Sequence, residues 1–150
     1  MRSFLTAAVA IAAGALTGQA AIRPPSVPIV SCDPFFSIWM PNENPTLADS
    51  EIWFGAKQPI RIVVELDGRA YRLFGAPLPV VDNPREQDLP ALRFAGCEVR
   101  ALTSVFRFAD PCGYEVDLSF RTAKIPDDLE VFSCPVTYGS IRVRGAKSVR

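Results

Sequence analysis

The sequence predicts an all-β fold: an antiparallel β-sandwich-like domain forming the incomplete N-terminal part of a larger sandwich. Three observations lead there. Two stretches alternate apolar and polar residues with the period of a strand, and turn residues separate them. The 14 prolines all follow position 20, a density about twice the usual ~5%, and proline interrupts long helices. Beyond the first twenty residues no segment shows a helical period.

The elements follow in order. Residues 1–20 read as a secretory leader: Arg2 supplies the positive start, residues 4–16 are apolar and uncharged, and Gly18-Gln19-Ala20 places small residues for cleavage after Ala20. Thirteen apolar residues fall short of the ~20 that cross a bilayer. The expected destination is therefore secreted or periplasmic, with no membrane contact after cleavage. Residues 21–31 begin extended, and 33–39 form an aromatic segment opening on a turn. Residues 41–50 are a polar loop. Across residues 59–75, Ile60, Ile62, Val64 and Leu66 alternate with Arg61, Val63 and Glu65, and Asp67-Gly68 then signals a hairpin. Residues 76–90 form a proline-rich connection. A second hairpin is expected from strands 99–108 and 114–122, turned by Asp110-Pro111-Cys112-Gly113. Within its second strand Tyr114, Val116, Leu118 and Phe120 face a core. Residues 125–129 connect to a last strand over 136–143, bulged at Gly139, after which no closing element is expected. The result is about five or six strands and no helix, fewer than the ~7 of a complete sandwich, with an exposed edge at the last strand.

Composition removes several functions. The chain of 150 residues contains no histidine, which excludes Ser-His-Asp and Cys-His nucleophile systems and imidazole metal sites. Its 16 basic and 16 acidic residues leave no cationic excess for nucleic acid. No Gly-rich phosphate loop and no Cys-x-x-Cys appears, so no cofactor is indicated. Cys32, Cys97, Cys112 and Cys134 would meet an oxidising compartment, where they could pair in any of three ways or remain buried thiols.

The runs Pro28-Ile29-Val30-Ser31-Cys32-Asp33-Pro34-Phe35-Phe36-Ser37-Ile38-Trp39, Leu47-Ala48-Asp49, Trp53-Phe54-Gly55, the segment from Ile60 to Gly68, and Tyr71-Arg72-Leu73-Phe74-Gly75 occur in a distinctive order. With Phe120 through Leu129 and Ser133-Cys134-Pro135-Val136-Thr137-Tyr138, they resemble the N-terminal region of the secreted glutaminase A family of fungi and bacteria. Ala48 stands where the family usually has threonine, Phe54 likewise, and Cys134 where it prefers arginine. The resemblance implies four parts: the leader at 1–20, an N-terminal family domain at 21–76, a proline-rich connector at 77–97, and the start of the following β-sandwich region at 98–150. It also implies a parent protein that hydrolyses L-glutamine to L-glutamate and ammonia, whose helical-toroid catalytic domain is absent from this chain and would be its partner. The chain is then a non-catalytic β domain. The alternative is a carbohydrate- or peptide-binding β module of an exported glycoside-hydrolase-like protein.

No catalytic residues are assigned. Asp127-Asp128, the one adjacent carboxylate pair, reads as turn chemistry after Pro126, and Ser140 has neither a nucleophile elbow nor a base. Arg61, Arg69, Arg72, Arg142 and Arg144 are expected on solvated faces. One binding site is a candidate: Asp33, Phe35, Trp39 and Trp53, aromatic faces with one carboxylate, suited to a sugar or another small polar ligand. The alternative places these aromatics in the core, with Asp33 capping a turn.

Overall fold

The computed structural model describes residues 24–33, 35–78 and 89–150. The expected leader, Pro34 and most of the proline-rich connection lie outside the described residues. Those residues form nine strands and one short helix: β1 (Val27–Ser31), β2 (Ser37–Met40), β3 (Glu51–Ile52), β4 (Ile62–Leu66), β5 (Arg69–Phe74), β6 (Phe94–Arg100), β7 (Thr103–Ala109), β8 (Glu115–Thr122), α1 (Leu129–Ser133) and β9 (Thr137–Arg144). They assemble three antiparallel sheets, ordered β1-β2-β3, β4-β5 and β6-β7-β8-β9. The all-β, sandwich-like class read from the sequence is the observed one.

The β4–β5 hairpin forms for the reason its sequence gives. Leu66 pairs with Arg69, leaving a two-residue turn. Asp67 and Gly68 there have φ of 49° and 81°, the left-handed pair that matches the twist of the flanking strands. In β8 the alternation is equally literal: Val116, Leu118, Phe120 and Thr122 are buried, while Glu115 and Arg121 are exposed.

Residues from all three sheets share one core. Phe74 of β5 meets Phe106 of β7 and Phe120 of β8 edge-on, each with ring centroids 5.5 Å apart. Val27 and Ile29 of β1 and Ile38 and Met40 of β2 join it. Polar ties cross the same boundary: the Ser104 hydroxyl donates to the Pro28 carbonyl at 2.6 Å, and Ser31 N–H donates to the Thr122 hydroxyl at 3.3 Å.

Six expectations are corrected. Nine strands form among the described residues where five or six were expected, and β9 passes Gly139 in unbroken register with β8, without a bulge. The stretch 99–108 is not one strand. The chain turns at Ala101-Leu102, with Arg100 opposite Thr103, and β6 begins at Phe94 within the stretch expected to connect. Ala-Leu carries no turn chemistry, so nothing in the sequence marked it. A short helix does form, because the Asp128 carboxylate accepts hydrogen bonds from Glu130 and Val131 N–H, both at 3.1 Å. Arg72 is buried rather than solvated. Its Nη1 donates to the Thr46 and Gly75 carbonyls at 2.7 Å each, a charge-assisted tie across the loop. Residues 145–150 also close onto the fold. Arg150 and Glu65 exchange both backbone hydrogen bonds, and Asp67 N–H donates to the Ser148 carbonyl. The Asp67 carboxylate in turn accepts from Lys147 N–H, Ser148 N–H and the Tyr114 hydroxyl. At its other edge β5 is covered by the chain at Ala91, in parallel pairing with Arg72. Both edges of the β4–β5 hairpin are thus occupied.

Candidate functional site

The outer face of the β1-β2-β3 sheet carries a well-formed surface cleft. Strand periodicity places Ile38 and Met40 in the core, so Trp39 between them points the other way and is half-buried. Register then sets its neighbours: Pro28 of β1 lies opposite on one side and Glu51 of β3 on the other. The Trp39 indole N–H donates to the Ser37 hydroxyl at 3.2 Å, two residues back on the same face, which fixes the ring's orientation.

Two turns at one end of the sheet complete the feature. After β1, Asp33 Oδ1 accepts hydrogen bonds from Phe35 and Phe36 N–H, each at 2.7 Å, folding the loop into an Asx turn. After β3, a reverse turn closed by Gly55 N–H on the Ile52 carbonyl raises Trp53 and Phe54. The turns meet through their aromatics. Trp53 packs edge-on against Phe54 at 5.3 Å and against Phe35 at 6.5 Å. Beside them lies a cleft of about 570 Å³, lined by Ser31, Asp33, Ser37, Trp39, Glu51 and Trp53 among others. That volume falls in the ~300–1,000 Å³ range of small-molecule sites.

The structure brings together three of the four residues chosen from the sequence, Asp33, Trp39 and Trp53, at one cleft. Phe35 stands just outside it against Trp53, its side chain 82% exposed. The expectation of core aromatics does not hold for Phe35 or for Trp53, which is 55% exposed, but Asp33 does hold its turn. Glu51 and the serines were not foreseen. Glu51 reaches the cleft only through its register with Trp39, and pairing between β2 and β3 is a long-range property with no local signal.

The lining of the cleft carries carboxylates, and two lysines stand at its margin, Lys57 opposite Glu51 in a β-bridge and Lys124 on the Cys32 carbonyl next to Asp33. No lysine or arginine is among its described lining residues, and neither Asp33 nor Glu51 forms an ion pair among the described residues. Basic groups are engaged elsewhere, as in Arg100 and Arg107 on Glu98, which hold that carboxyl below its ordinary range.

The other singled-out residues have structural positions. Asp128 caps α1, and Ser140 shares a 2.7 Å hydroxyl contact with its cross-strand neighbour Ser119. The four cysteines carry free thiols, Cys32 buried, Cys97 half-buried, Cys112 and Cys134 exposed. Among the described residues no group of three or more cysteine or carboxylate side chains converges as a metal site would. The arrangement can hold a ligand between aromatic faces, hydroxyls and carboxylates.

Comparison with curated proteins and with solved structures finds no match. A family model does match, over residues 5–80, and this span contains the whole aromatic cleft and the β4–β5 hairpin. Just over half of the chain is covered, and the protein belongs to the family described as a domain of unknown function, DUF4964.

Proposed function

We propose that this protein is a non-catalytic β domain of an exported glutaminase A-type protein, and that it packs against a larger hydrolytic domain of the same polypeptide. One observation carries the reading. Directly paired residues on neighbouring strands share a face of the sheet. Ile141 of β9 lies opposite Leu118 of β8 and therefore on the core face, yet Leu118 is 1% exposed and Ile141 46%. Gly139, opposite the buried Phe120, likewise has open space where a side chain would stand. The core face of the four-stranded sheet thus runs past its covering layer. Leu129 and Phe132 of α1 and Val136, just before β9, add exposed apolar surface. Exposed apolar surface of this kind suits an interaction surface.

The resemblance supplies the occupant, a helical-toroid domain, and the reaction, hydrolysis of L-glutamine. Without histidine the chain cannot form a Ser-His-Asp or Cys-His system, and the reading assigns the hydrolytic chemistry to the larger domain. Support for export comes from Arg2 and the apolar run that follows it.

The decisive experiment reads the gene and its transcript beyond codon 150. The expected frame continues for several hundred codons of helical, apolar patterning, and the longer product releases ammonia from glutamine while residues 21–150 do not. A stop codon after Arg150 refutes the reading, as does glutaminase activity in this chain by itself. In the longer protein Ile141→Ser is expected to destabilise, whereas in this chain it stays within about 0.5 kcal/mol, as an exposed substitution does.

A further inference from the structure

The cleft on the β1-β2-β3 sheet does not depend on the parentage proposed above. Its chemistry is narrow. Two indoles, Trp39 and Trp53, offer apolar faces; Ser31 and Ser37 offer hydroxyls; Asp33 and Glu51 offer carboxylates without a cationic partner among the described residues. The floor is a sheet face rather than an edge, because β2 is paired on both sides. An extended peptide therefore finds no free backbone beneath it to pair with as an added strand. Anionic ligands meet two carboxylates and no lysine or arginine among the described lining residues. A pyranose satisfies every feature: its axial C–H face stacks on indole, and its hydroxyls donate to carboxylates and exchange hydrogen bonds with serine.

We infer that this cleft is a saccharide-binding site, which takes the ring face of a neutral or amine-bearing pyranose against Trp39 and Trp53 and rejects acidic sugars. The Trp39 ring is preoriented through Ser37, and Trp53 is steadied by its edge contacts with Phe35 and Phe54, so little order has to be imposed when a sugar arrives.

The chain provides its own reporter, since its two tryptophans are the two that line the cleft. The whole chain is titrated, with tryptophan emission as readout, against homo-oligosaccharides of glucose, mannose, galactose, xylose and N-acetylglucosamine, against a glucosamine oligomer, and against oligogalacturonate. The expected result is a saturable change with at least one neutral or amine-bearing oligomer and none with oligogalacturonate. Silence across the neutral and amine-bearing set overturns the inference, and so does oligogalacturonate binding as well as the best neutral sugar. Trp53→Ala, in an exposed turn, is expected to keep the circular dichroism spectrum and to weaken binding about tenfold, as loss of a stacking ring does. Trp39→Ala repeats the test on the half-buried ring. Unchanged affinity in a folded Trp53→Ala protein also overturns the inference.

Discussion

Gly68 and Gly145 have nearly the same φ, 81° and 83°, and very different surroundings. A Cβ added at Gly68 meets nothing within 4 Å, whereas one at Gly145 would sit 2.1 Å from the Gly113 carbonyl oxygen and 3.0 Å from its carbon. Alanine at either position incurs left-handed strain of about 1–2 kcal/mol, offset by about 0.4–1 kcal/mol from a stiffer unfolded chain. Gly68→Ala should therefore cost about 1 kcal/mol. Gly145→Ala must in addition displace backbone, and overpacking of that kind costs about 1–3 kcal/mol more. With a urea dependence of about 1–3 kcal/mol/M, the two midpoints should separate by about 1 M. The assay is urea unfolding followed by far-UV circular dichroism, with amide exchange at Arg150 as the local probe. Loss of the Gly145 turn should release the pairing of Arg150 with Glu65 and raise exchange there. Equal destabilisation by the two substitutions, or unchanged exchange at Arg150, refutes the claim that the approach of Gly145 to the Gly113 turn locks residues 145–150 onto β4.

Three further outcomes are expected. The Asp67 carboxyl lies below its ordinary range, chiefly through the Ser148 N–H it accepts and with help from the Tyr114 hydroxyl and Lys147 N–H. Its stabilisation is therefore complete above the unfolded value of about 3.9 and is lost as pH falls through the lower folded value; protection of the Ser148 amide, measured against its intrinsic exchange rate, should fall in that window, and Asp67→Asn, which tolerates the left-handed turn, should remove that pH dependence. Phe106→Ala should cost about 3–5 kcal/mol in urea unfolding because the ring is fully buried against Phe74 and Phe120, whereas Phe35→Ala should stay within about 0.5 kcal/mol. Burial pushes the Cys97 thiol up to about 11, with Glu43 adding to the shift, so maleimide at pH 8 followed by peptide mapping should label exposed Cys134 well before Cys97 or buried Cys32.

How much of this was legible in the sequence depended on the range of the interaction. Asp67-Gly68 dictated its turn because the requirement for positive φ is local, and β8 declared its faces because its alternation is unbroken. The Ala101-Leu102 turn and the burial of Arg72 were not legible, since each depends on what another segment supplies: β7 pairing back on β6 in one case, the Thr46 and Gly75 carbonyls in the other. Residues 145–150 looked unattached because the group that holds them, the Asp67 carboxylate, is 80 positions from Lys147. For the candidate site, aromatic density around the Asp33 turn picked out Asp33, Phe35 and Trp39, and Trp53 came in from a separate run that the family resemblance also covers. Glu51 was invisible because its place beside Trp39 is a matter of strand pairing.

The same distinction separates the two exposed surfaces. A period of two reports which face of a sheet a residue occupies; it does not report whether that face is covered. Ile141 has the parity of a core residue and is exposed, so its sheet extends past its second layer, and a contact made there would be a packing contact. Trp39 has the opposite parity to Ile38 and Met40 and carries a large, half-buried ring on the other face of the sheet. A further domain would bury Ile141 by completing a core, which rewards any apolar surface of matching shape. Trp39 stands instead among hydroxyls and carboxylates whose hydrogen bonds must be satisfied by whatever displaces water, and that requirement selects a small polar ligand with one apolar face. The two surfaces lie on different sheets and call for different chemistry, but Lys124 ties them, donating to the Cys32 carbonyl beside Asp33 and to the Phe132 carbonyl, so a substitution at Lys124 should move both.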